Sequence, residues 1–315
     1  MTRERTEGER DDGRTRVTVL VALAANLVIA AAKAVGGLLA GSPALLSEAA
    51  HSVADSMNEI FLLAALRRSR RPADRRHPFG YGKERFFWSL LAAVGIFVMG
   101  GCFSFFQGFE ALTSTHEESR NGYAAGLAVL GVALLAEGGS LVRALFQARG
   151  RQHGAVRDPA LRTVIAEDGT AVIGVLLAAA GMALHLVTGN VVWEASASFA
   201  IGALLVFVAY RLGSAAREQL IGEAVDPELS RDIRGLLNDQ EEIDRVDELL
   251  TMRLGLDSAL VAARIDLAPG IESERLELVS ERIKRSIQDT WPEADQVFLD
   301  VTEAPSKGPT KGIDG

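Results

Sequence analysis

Long apolar runs recur along the first two thirds of the chain and then stop. Each is about 20 residues or more, the length that an α-helix needs to cross a hydrocarbon core of ~30 Å. We therefore predict an α-helical polytopic membrane protein, in contact with membrane lipid. Its six transmembrane spans are expected at about Val17–Ala40, Pro43–Leu66, Phe86–Leu112, Tyr123–Phe146, Pro159–Val187 and Val191–Leu212.

The last hundred residues have a different pattern. Residues 211–315 carry 13 basic and 23 acidic side chains, against 20 and 18 in residues 1–210. This acidic balance argues against nucleic-acid binding, which favours a basic face. The spacing of apolar residues predicts helices and strands here. The helices are expected at Pro227–Asp239 and Ser273–Thr290, and the strands at Ile243–Leu254, Leu260–Leu267 and Gln296–Val301.

Four regions follow from these patterns. They are a cytoplasmic N-terminal tail (1–16), a six-helix transmembrane domain (17–213), a small cytoplasmic α+β domain (214–303) and a tail expected to be disordered (304–315). Basic residues set the orientation, because cytoplasmic loops are enriched in Lys and Arg. The loop after the second span has eight of them and the loop after the fourth span has three, whereas the opposite loops have only Arg120. Both termini are therefore predicted to be cytoplasmic.

Two ionisable residues lie in the middle of the second span. His51 and Asp55 are four positions apart, so they share one helix face. Ionisable groups inside a membrane cost roughly 2.5–3.5 kcal/mol each on insertion scales, and they mark an ion path or a proton relay. Glu48 and Asn58 extend the same broad face in the two directions.

A short internal repeat relates the second and fifth spans. Ser42–His51 aligns without a gap to Asp158–Glu167, with identities at Pro-Ala-Leu and at the alanine before the last residue. The alignment places Glu167 at the position of His51, with Asp168 beside it. The two spans cross in opposite directions, and inverted repeats with polar groups near the midplane are typical of secondary transporters.

Imidazole nitrogen and carboxylate oxygen are ligands that divalent transition metals accept together. We predict a metal site formed by His51, Asp55, Glu167 and Asp168, with Asn58 as an additional candidate. A structural hydrogen-bond network around His51 is the alternative, and whether Asp168 is a direct ligand is left open. Because protons compete with metal for such ligands, H⁺ is the predicted counter-ion. No prosthetic group is expected.

Two further groups of polar residues have a functional and a structural interpretation. Lys33 and Glu137 are intramembrane charges, and we favour a charge pair of Glu137 with Lys33 or Arg143 over a relay or access role for Glu137. His77 with Asp74 could form a second, cytoplasmic metal site, but a hydrogen-bonded loop is the favoured interpretation.

The motifs together resemble the cation diffusion facilitator family of metal/proton antiporters. The similarity rests on six spans, on HxxxD at His51 and Asp55, on His77-Pro-Phe-Gly-Tyr-Gly at the cytoplasmic end, and on the α+β domain. It implies homodimers joined through the C-terminal domain and export from the cytoplasm. The family's cargo is mostly Zn²⁺, with Mn²⁺, Fe²⁺, Co²⁺ or Ni²⁺ in some branches.

The fifth span departs from the family's usual His/Asp-xxx-Asp motif. The aligned positions are Glu167 and Ala171, and the stretch Ile165–Asp168 resembles the branch of zinc transporter 9. This oxygen-richer set favours Mn²⁺ or Fe²⁺ more than the common site does. No His or Cys follows His185, so metal sensing by the C-terminal domain is not expected.

The leading hypothesis is a plasma-membrane antiporter that exports a divalent metal, with Zn²⁺ as the first candidate. The altered fifth-span motif supports one alternative, a non-transporting membrane scaffold that acts through its acidic cytoplasmic domain. His51 and Asp55 argue against it, because a scaffold has no use for their insertion cost. An intramembrane metallohydrolase is disfavoured because the chain contains no HExxH motif, so no enzyme activity is expected.

Overall fold

A computed structural model describes residues 23–113, 120–150, 159–269 and 273–301. The N-terminal tail (1–16), the beginning of the first predicted span and the C-terminal tail (304–315) lie outside the described residues. The chain divides into two compact units. One contains residues 1–65 and 88–216, and the other contains residues 66–87 and 217–315. The segment between the second and third predicted spans therefore groups with the C-terminal residues.

The first unit is built from long helices. These are α1 (Leu23–Ala40), α2 (Pro43–Ser69), α3 (Glu84–Gly95), α4 (Phe103–Thr113), α5 (Arg120–Gly150), α6 (Pro159–Thr188) and α7 (Val192–Ile221). A π-helical segment, Ile96–Cys102, joins α3 to α4, so that Glu84–Thr113 forms one continuous span. Its core is formed by small and aliphatic side chains, including Leu45, Val175 and Leu205.

Five helical segments in the described part of the chain are long and apolar enough to cross a membrane. They overlap the first, third, fourth, fifth and sixth predicted spans. The second predicted span, α2, is a helix of 27 residues, but its ionisable residues make it less apolar than the others. The prediction of a multi-pass helical membrane protein is confirmed.

The turn before α2 places that helix directly after α1. Gly41 has φ +66°, a left-handed conformation that glycine adopts without steric cost. The backbone N–H of Ser42 donates to the carbonyl of Gly37, and the Ser42 hydroxyl accepts from the backbone N–H of Leu45. Pro43 occupies the first helical position, where its missing N–H is not needed.

The C-terminal part of the second unit is a small α+β fold. It comprises α8 (Pro227–Asn238), β1 (Ile243–Arg253), β2 (Ala259–Leu267), α9 (Ser273–Thr290) and β3 (Gln296–Val301). The sheet has the order β1-β2-β3, with an antiparallel first pair and a parallel second pair. Ile233, Leu237, Ile283 and Ile287 are fully buried in its core. The predicted α+β domain is confirmed, with element boundaries within about two residues of those expected.

Candidate metal centre

One buried face of α2 brings three ionisable side chains into line. Glu48 is completely buried and His51 is 3% exposed. Nδ1 of His51 lies 3.4 Å from Oε1 of Glu48, and Nε2 lies 3.5 Å from Oδ2 of Asp55. The imidazole is therefore held between two carboxylates, one turn before it and one turn after it on the same helix.

Helix α6 meets this face at two levels. Gly174 packs against the Glu48–His51 pair so closely that an added Cβ would collide with the Glu48 carboxylate and lie 3.2 Å from His51 Nδ1. Glu167, seven residues earlier on α6, accepts a hydrogen bond of 2.9 Å from the side-chain amide of Asn58, seven residues after His51 on α2. The two helices are thus antiparallel neighbours, and Asp55 lies between the two levels of contact.

Carboxylates from both helices gather around the level of Asp55. The charge of Glu167 interacts with those of Asp55, Glu59 and Asp168, and Asp55 also interacts with Asp168. Oδ2 of Asp168 is buried and has no hydrogen-bond partner among the described residues. Negative groups this close repel one another unless a cation or protons intervene, so the chemistry of this donor set fits a divalent metal.

The predicted ligands are not arranged around one point. In the described part of the chain, no three His, Cys, Asp or Glu side chains form a group that could hold an ion. His51 lies level with Gly174, whereas Glu167 lies near Asn58, about 10 Å further along the helix pair. His51 lies next to Asp55 on α2, and the charges of Glu167 and Asp168 on α6 interact with the charge of Asp55. The four-residue ligand set remains a prediction, with Asp55 at its centre.

Lys33 reaches this region from α1, which the sequence did not indicate. Its ammonium donates to Glu48 Oε2 at 2.9 Å, to Ser52 Oγ at 3.0 Å and to Glu137 Oε1 at 2.9 Å. The predicted Lys33–Glu137 pair is thus confirmed, but the contact with Glu48 was missed. Glu48 precedes His51 by about one helix turn, and this spacing is the feature of the sequence that indicates Glu48 as a neighbour of His51.

Glu59 forms a second side-chain contact between α2 and α1. Its Oε1 accepts a hydrogen bond of 2.8 Å from the side-chain amide of Asn26 on α1. Asn26 and Lys33 lie seven residues apart on α1, so both point toward α2 from one face of that helix.

A second buried polar cluster lies at the other end of α2. Glu194, at the start of α7, is completely buried and accepts hydrogen bonds from the hydroxyls of Ser42 and Tyr123. Nδ1 of His185, near the end of α6, lies 3.7 Å from Glu194 Oε1. The cluster joins residues from the α1–α2 turn, α5, α6 and α7. None of its members is among the residues predicted to bind metal.

Asp74 organises the loop that contains the proposed second metal site. Its Oδ1 accepts from the backbone N–H groups of Arg76 and His77, both at 2.8 Å, and its Oδ2 accepts from the Tyr81 hydroxyl at 2.7 Å. The hydrogen bond from Tyr81 is the main reason that the pKa of Asp74 falls to about 2. With both oxygens occupied in this way, the geometry favours the hydrogen-bonded loop over a metal site at Asp74 and His77.

Comparisons with known proteins point to one family. Residues 19–221 match the model of the cation efflux transmembrane domain. The chain is 31% identical to metal tolerance protein C4 of Arabidopsis thaliana over 90% of its own length and 62% of that protein. It is 30% identical to the mitochondrial proton-coupled zinc antiporter SLC30A9 of Homo sapiens, over 79% of its own length and 45% of that protein.

A bacterial relative matches along almost its whole length. The manganese efflux system protein MneP of Bacillus subtilis is 23% identical over 91% of this chain and 95% of that protein. By contrast, the chain spans only about half to two thirds of the plant and animal relatives. Because the domain match covers most of the chain, and because the relatives include the zinc antiporter SLC30A9, this protein belongs to the cation diffusion facilitator family and resembles its zinc transporter 9 branch.

Proposed function

We propose that this protein is a secondary transporter that exports a divalent transition-metal cation from the cytoplasm in exchange for protons. The observation that carries the proposal is the meeting of α2 and α6 around Asp55. His51 lies next to this carboxylate on α2, Glu167 on the neighbouring, antiparallel helix is bonded to Asn58, and the charges of Glu167 and Asp168 interact with that of Asp55. Such groups in membrane-spanning helices are costly, and a cation is the partner that compensates for their charge.

In this mechanism the metal is the substrate. Asp55 of α2 is the central ligand, and the other ligands come from both α2 and α6. Nε2 of His51 supplies nitrogen from one end, and Glu167 and Asp168 supply oxygen from the other, with Asn58 next to Glu167 as an auxiliary ligand. Zn²⁺ accepts such mixed nitrogen and oxygen ligands. The high share of oxygen also suits Mn²⁺ and Fe²⁺. The names of two relatives, a zinc antiporter and a manganese efflux protein, are consistent with this range.

Proton exchange follows from the chemistry of the same ligands. A histidine must lose a proton from the coordinating nitrogen, and a carboxylate must be ionised, before either binds a metal. Metal binding therefore releases protons, and protonation from the opposite side of the membrane displaces the metal. A pH gradient can drive export in this way without any additional cofactor.

The arrangement in the cell is part of the proposal. The segment between the second and third predicted spans contains eight Lys or Arg residues, which supports a cytoplasmic location for that segment and for both termini, in a plasma membrane. The C-terminal sheet supports a homodimer. Leu250, Ala262 and Phe298 lie in one row across β1, β2 and β3, and Leu250 and Phe298 are 58% and 52% exposed. An exposed apolar row of this kind fits a second copy of the same chain.

Transport by the reconstituted full-length chain tests the proposal. Uptake of Zn²⁺, Mn²⁺ and Fe²⁺ into proteoliposomes should depend on an imposed pH gradient. Asp55→Ala should abolish uptake and Glu167→Ala should reduce it at least tenfold, because each removes a charged ligand. Undiminished uptake in both variants would remove the proposed site. No uptake of any metal by the wild type would favour the scaffold alternative.

A further inference from the structure

Lys33 is the only basic residue among the described residues of α1, and its whole hydrogen-bonding capacity is used inside the helix bundle. An ammonium group has three donors. Here they go to Glu48 and Ser52 on α2 and to Glu137 on α5. Lys33 is 1% exposed and Glu48 is completely buried. This cluster lies outside the predicted ligand set, and the proposed transport mechanism does not use it.

Glu48 connects the cluster to His51. One carboxylate oxygen of Glu48, Oε2, is held by Lys33, and the other, Oε1, faces Nδ1 of His51 at 3.4 Å. An ionised carboxylate can only accept hydrogen bonds, so Nδ1 of His51 is the donor in this contact. The neutral imidazole then carries its lone pair on Nε2, the nitrogen that faces Asp55.

We propose that Glu48, fixed by Lys33, is a positioning residue that selects Nε2 of His51 as the nitrogen that meets the transported cation. This inference rests on the proposed function. Histidines that bind metals commonly donate their second ring N–H to a carboxylate, which fixes both the tautomer and the ring orientation. Lys33 holds the Glu48 carboxylate in place, and Glu137 on α5 in turn binds the Lys33 ammonium.

Helix α6 packs tightly against the contact between the Glu48 carboxylate and the His51 imidazole. Gly174 lies against both Glu48 and His51, and a methyl group at this position would collide with the Glu48 carboxylate. The absence of a side chain at residue 174 therefore permits the carboxylate to reach the imidazole.

A competing explanation is that the ion cluster only holds three helices together. Removing one partner of a buried ion pair is destabilising in any case, so a loss of activity alone does not separate the two roles. Glu137→Gln provides the matched control, because it removes one partner of Lys33 but no contact of His51.

The experiment measures Zn²⁺ uptake by full-length variants in proteoliposomes, together with their thermal unfolding. Glu48→Gln should raise the KM for Zn²⁺ about 10- to 100-fold, the usual effect of losing an outer partner of a metal ligand. Glu137→Gln should lower the unfolding temperature without this change in KM. Each single variant leaves Lys33 one carboxylate partner, Glu137 in Glu48→Gln and Glu48 in Glu137→Gln, so the two should lose comparable stability while KM is raised only in Glu48→Gln.

The tautomer of His51 gives a second, spectroscopic readout. The chain has five histidines, so ¹⁵N labelling of histidine yields few ring signals, and His51→Gln identifies the relevant pair. With Zn²⁺ bound, wild type should show a protonated Nδ1 and a coordinated Nε2, and Glu48→Gln should lose this preference. An unchanged KM in Glu48→Gln, or equal KM increases in Glu48→Gln and Glu137→Gln, would each overturn the positioning role. If Asp55→Ala abolishes uptake but Glu48→Gln behaves as wild type, only this inference fails; absence of uptake by the wild type overturns both.

Discussion

Gly174 is a single residue on which the shape of the candidate site depends. It is the point of α6 that touches the Glu48–His51 pair, and the neighbouring Lys33 prevents the Glu48 carboxylate from moving freely. We expect Gly174→Ala to push the carboxylate away from His51 and to reduce Zn²⁺ uptake at least severalfold. Uptake into proteoliposomes at matched protein content measures the effect.

The same substitution elsewhere on α6 serves as the control. A Cβ added at Gly169 would meet nothing within 4 Å among the described residues, so Gly169→Ala should leave uptake close to wild type. Alanine also has the higher helix propensity, by about 1 kcal/mol, so neither variant should weaken the helix itself. Equal uptake by the two variants would show that the close contact at Gly174 does not matter for the site.

The spacing of residues within α2 predicted which of its side chains lie together. It did not predict which residues of α6 lie level with them. His51 and Asp55 share a face because they are four residues apart, and their contact is found. The internal repeat placed Glu167 level with His51, but Gly174 occupies that level. Counting from the first proline of each helix assumes that both prolines lie at the membrane surface. Helix α6 has 30 residues, more than the ~20 that a bilayer requires, so its depth is not fixed by its first residue.

The loop between α2 and α3 is a defined structural element of the second unit. Asp74 accepts three hydrogen bonds at its beginning, and Phe79 packs edge-to-face against Phe298 of β3, with ring centroids 6.4 Å apart. Gly82 lies against the backbone of Leu254, after β1. The glycines and the proline of this stretch therefore form a loop that packs on the small sheet.

We expect Asp74→Ala to loosen this loop and to speed trypsin cleavage after Arg75 and Arg76 severalfold. The hydrogen bonds depend on the ionised carboxylate, whose pKa is lowered to about 2 by the Tyr81 hydroxyl and the backbone donors. Because the folded pKa is below the ordinary value of about 3.9, the stabilising contribution is complete above that value and is lost as the pH falls toward 2. Cleavage at neutral pH, followed by mass spectrometry, measures the change.

An exposed aspartate on another element provides the comparison. Asp232→Ala, on the exposed side of α8, should leave the cleavage rate after Arg75 and Arg76 as it is in the wild type. If Asp74→Ala and Asp232→Ala are cleaved at the same rate, the hydrogen bonds of Asp74 do not order the loop.

Local patterns predicted the elements of the C-terminal α+β fold better than the membrane helices. The spacing of Val279, Ile283 and Ile287 is itself the reason that α9 packs on the sheet, so sequence and structure agree there. The π-helical segment Ile96–Cys102 was not predicted. It inserts an extra residue into each turn, and no composition rule distinguishes it from an ordinary apolar helix.

The orientation of the whole molecule can be tested through its single cysteine. After Cys102→Ser, the chain contains no other thiol, so one new cysteine reports one position. We expect Thr188→Cys, at the end of α6, to react with a membrane-impermeant maleimide in intact cells. Ala73→Cys, in the basic loop after α2, should react only after the membrane is permeabilised, because that loop is proposed to be cytoplasmic.

Labelling of each variant after permeabilisation is the control for reactivity. The reverse pattern, with Ala73→Cys labelled in intact cells and Thr188→Cys protected, would contradict the proposed orientation. It would also reverse the proposed direction of metal transport.

The three hydrogen bonds of Lys33 have a consequence for how the bundle can move. Separating α1, α2 or α5 from the others would leave a charge without its partner in a region from which water is excluded, at a cost of about 3–5 kcal/mol. These three helices should therefore travel as one rigid body during a transport cycle. The movement would then take place between α2 and α6, because Gly174 has no side chain that could lock α6 against α2.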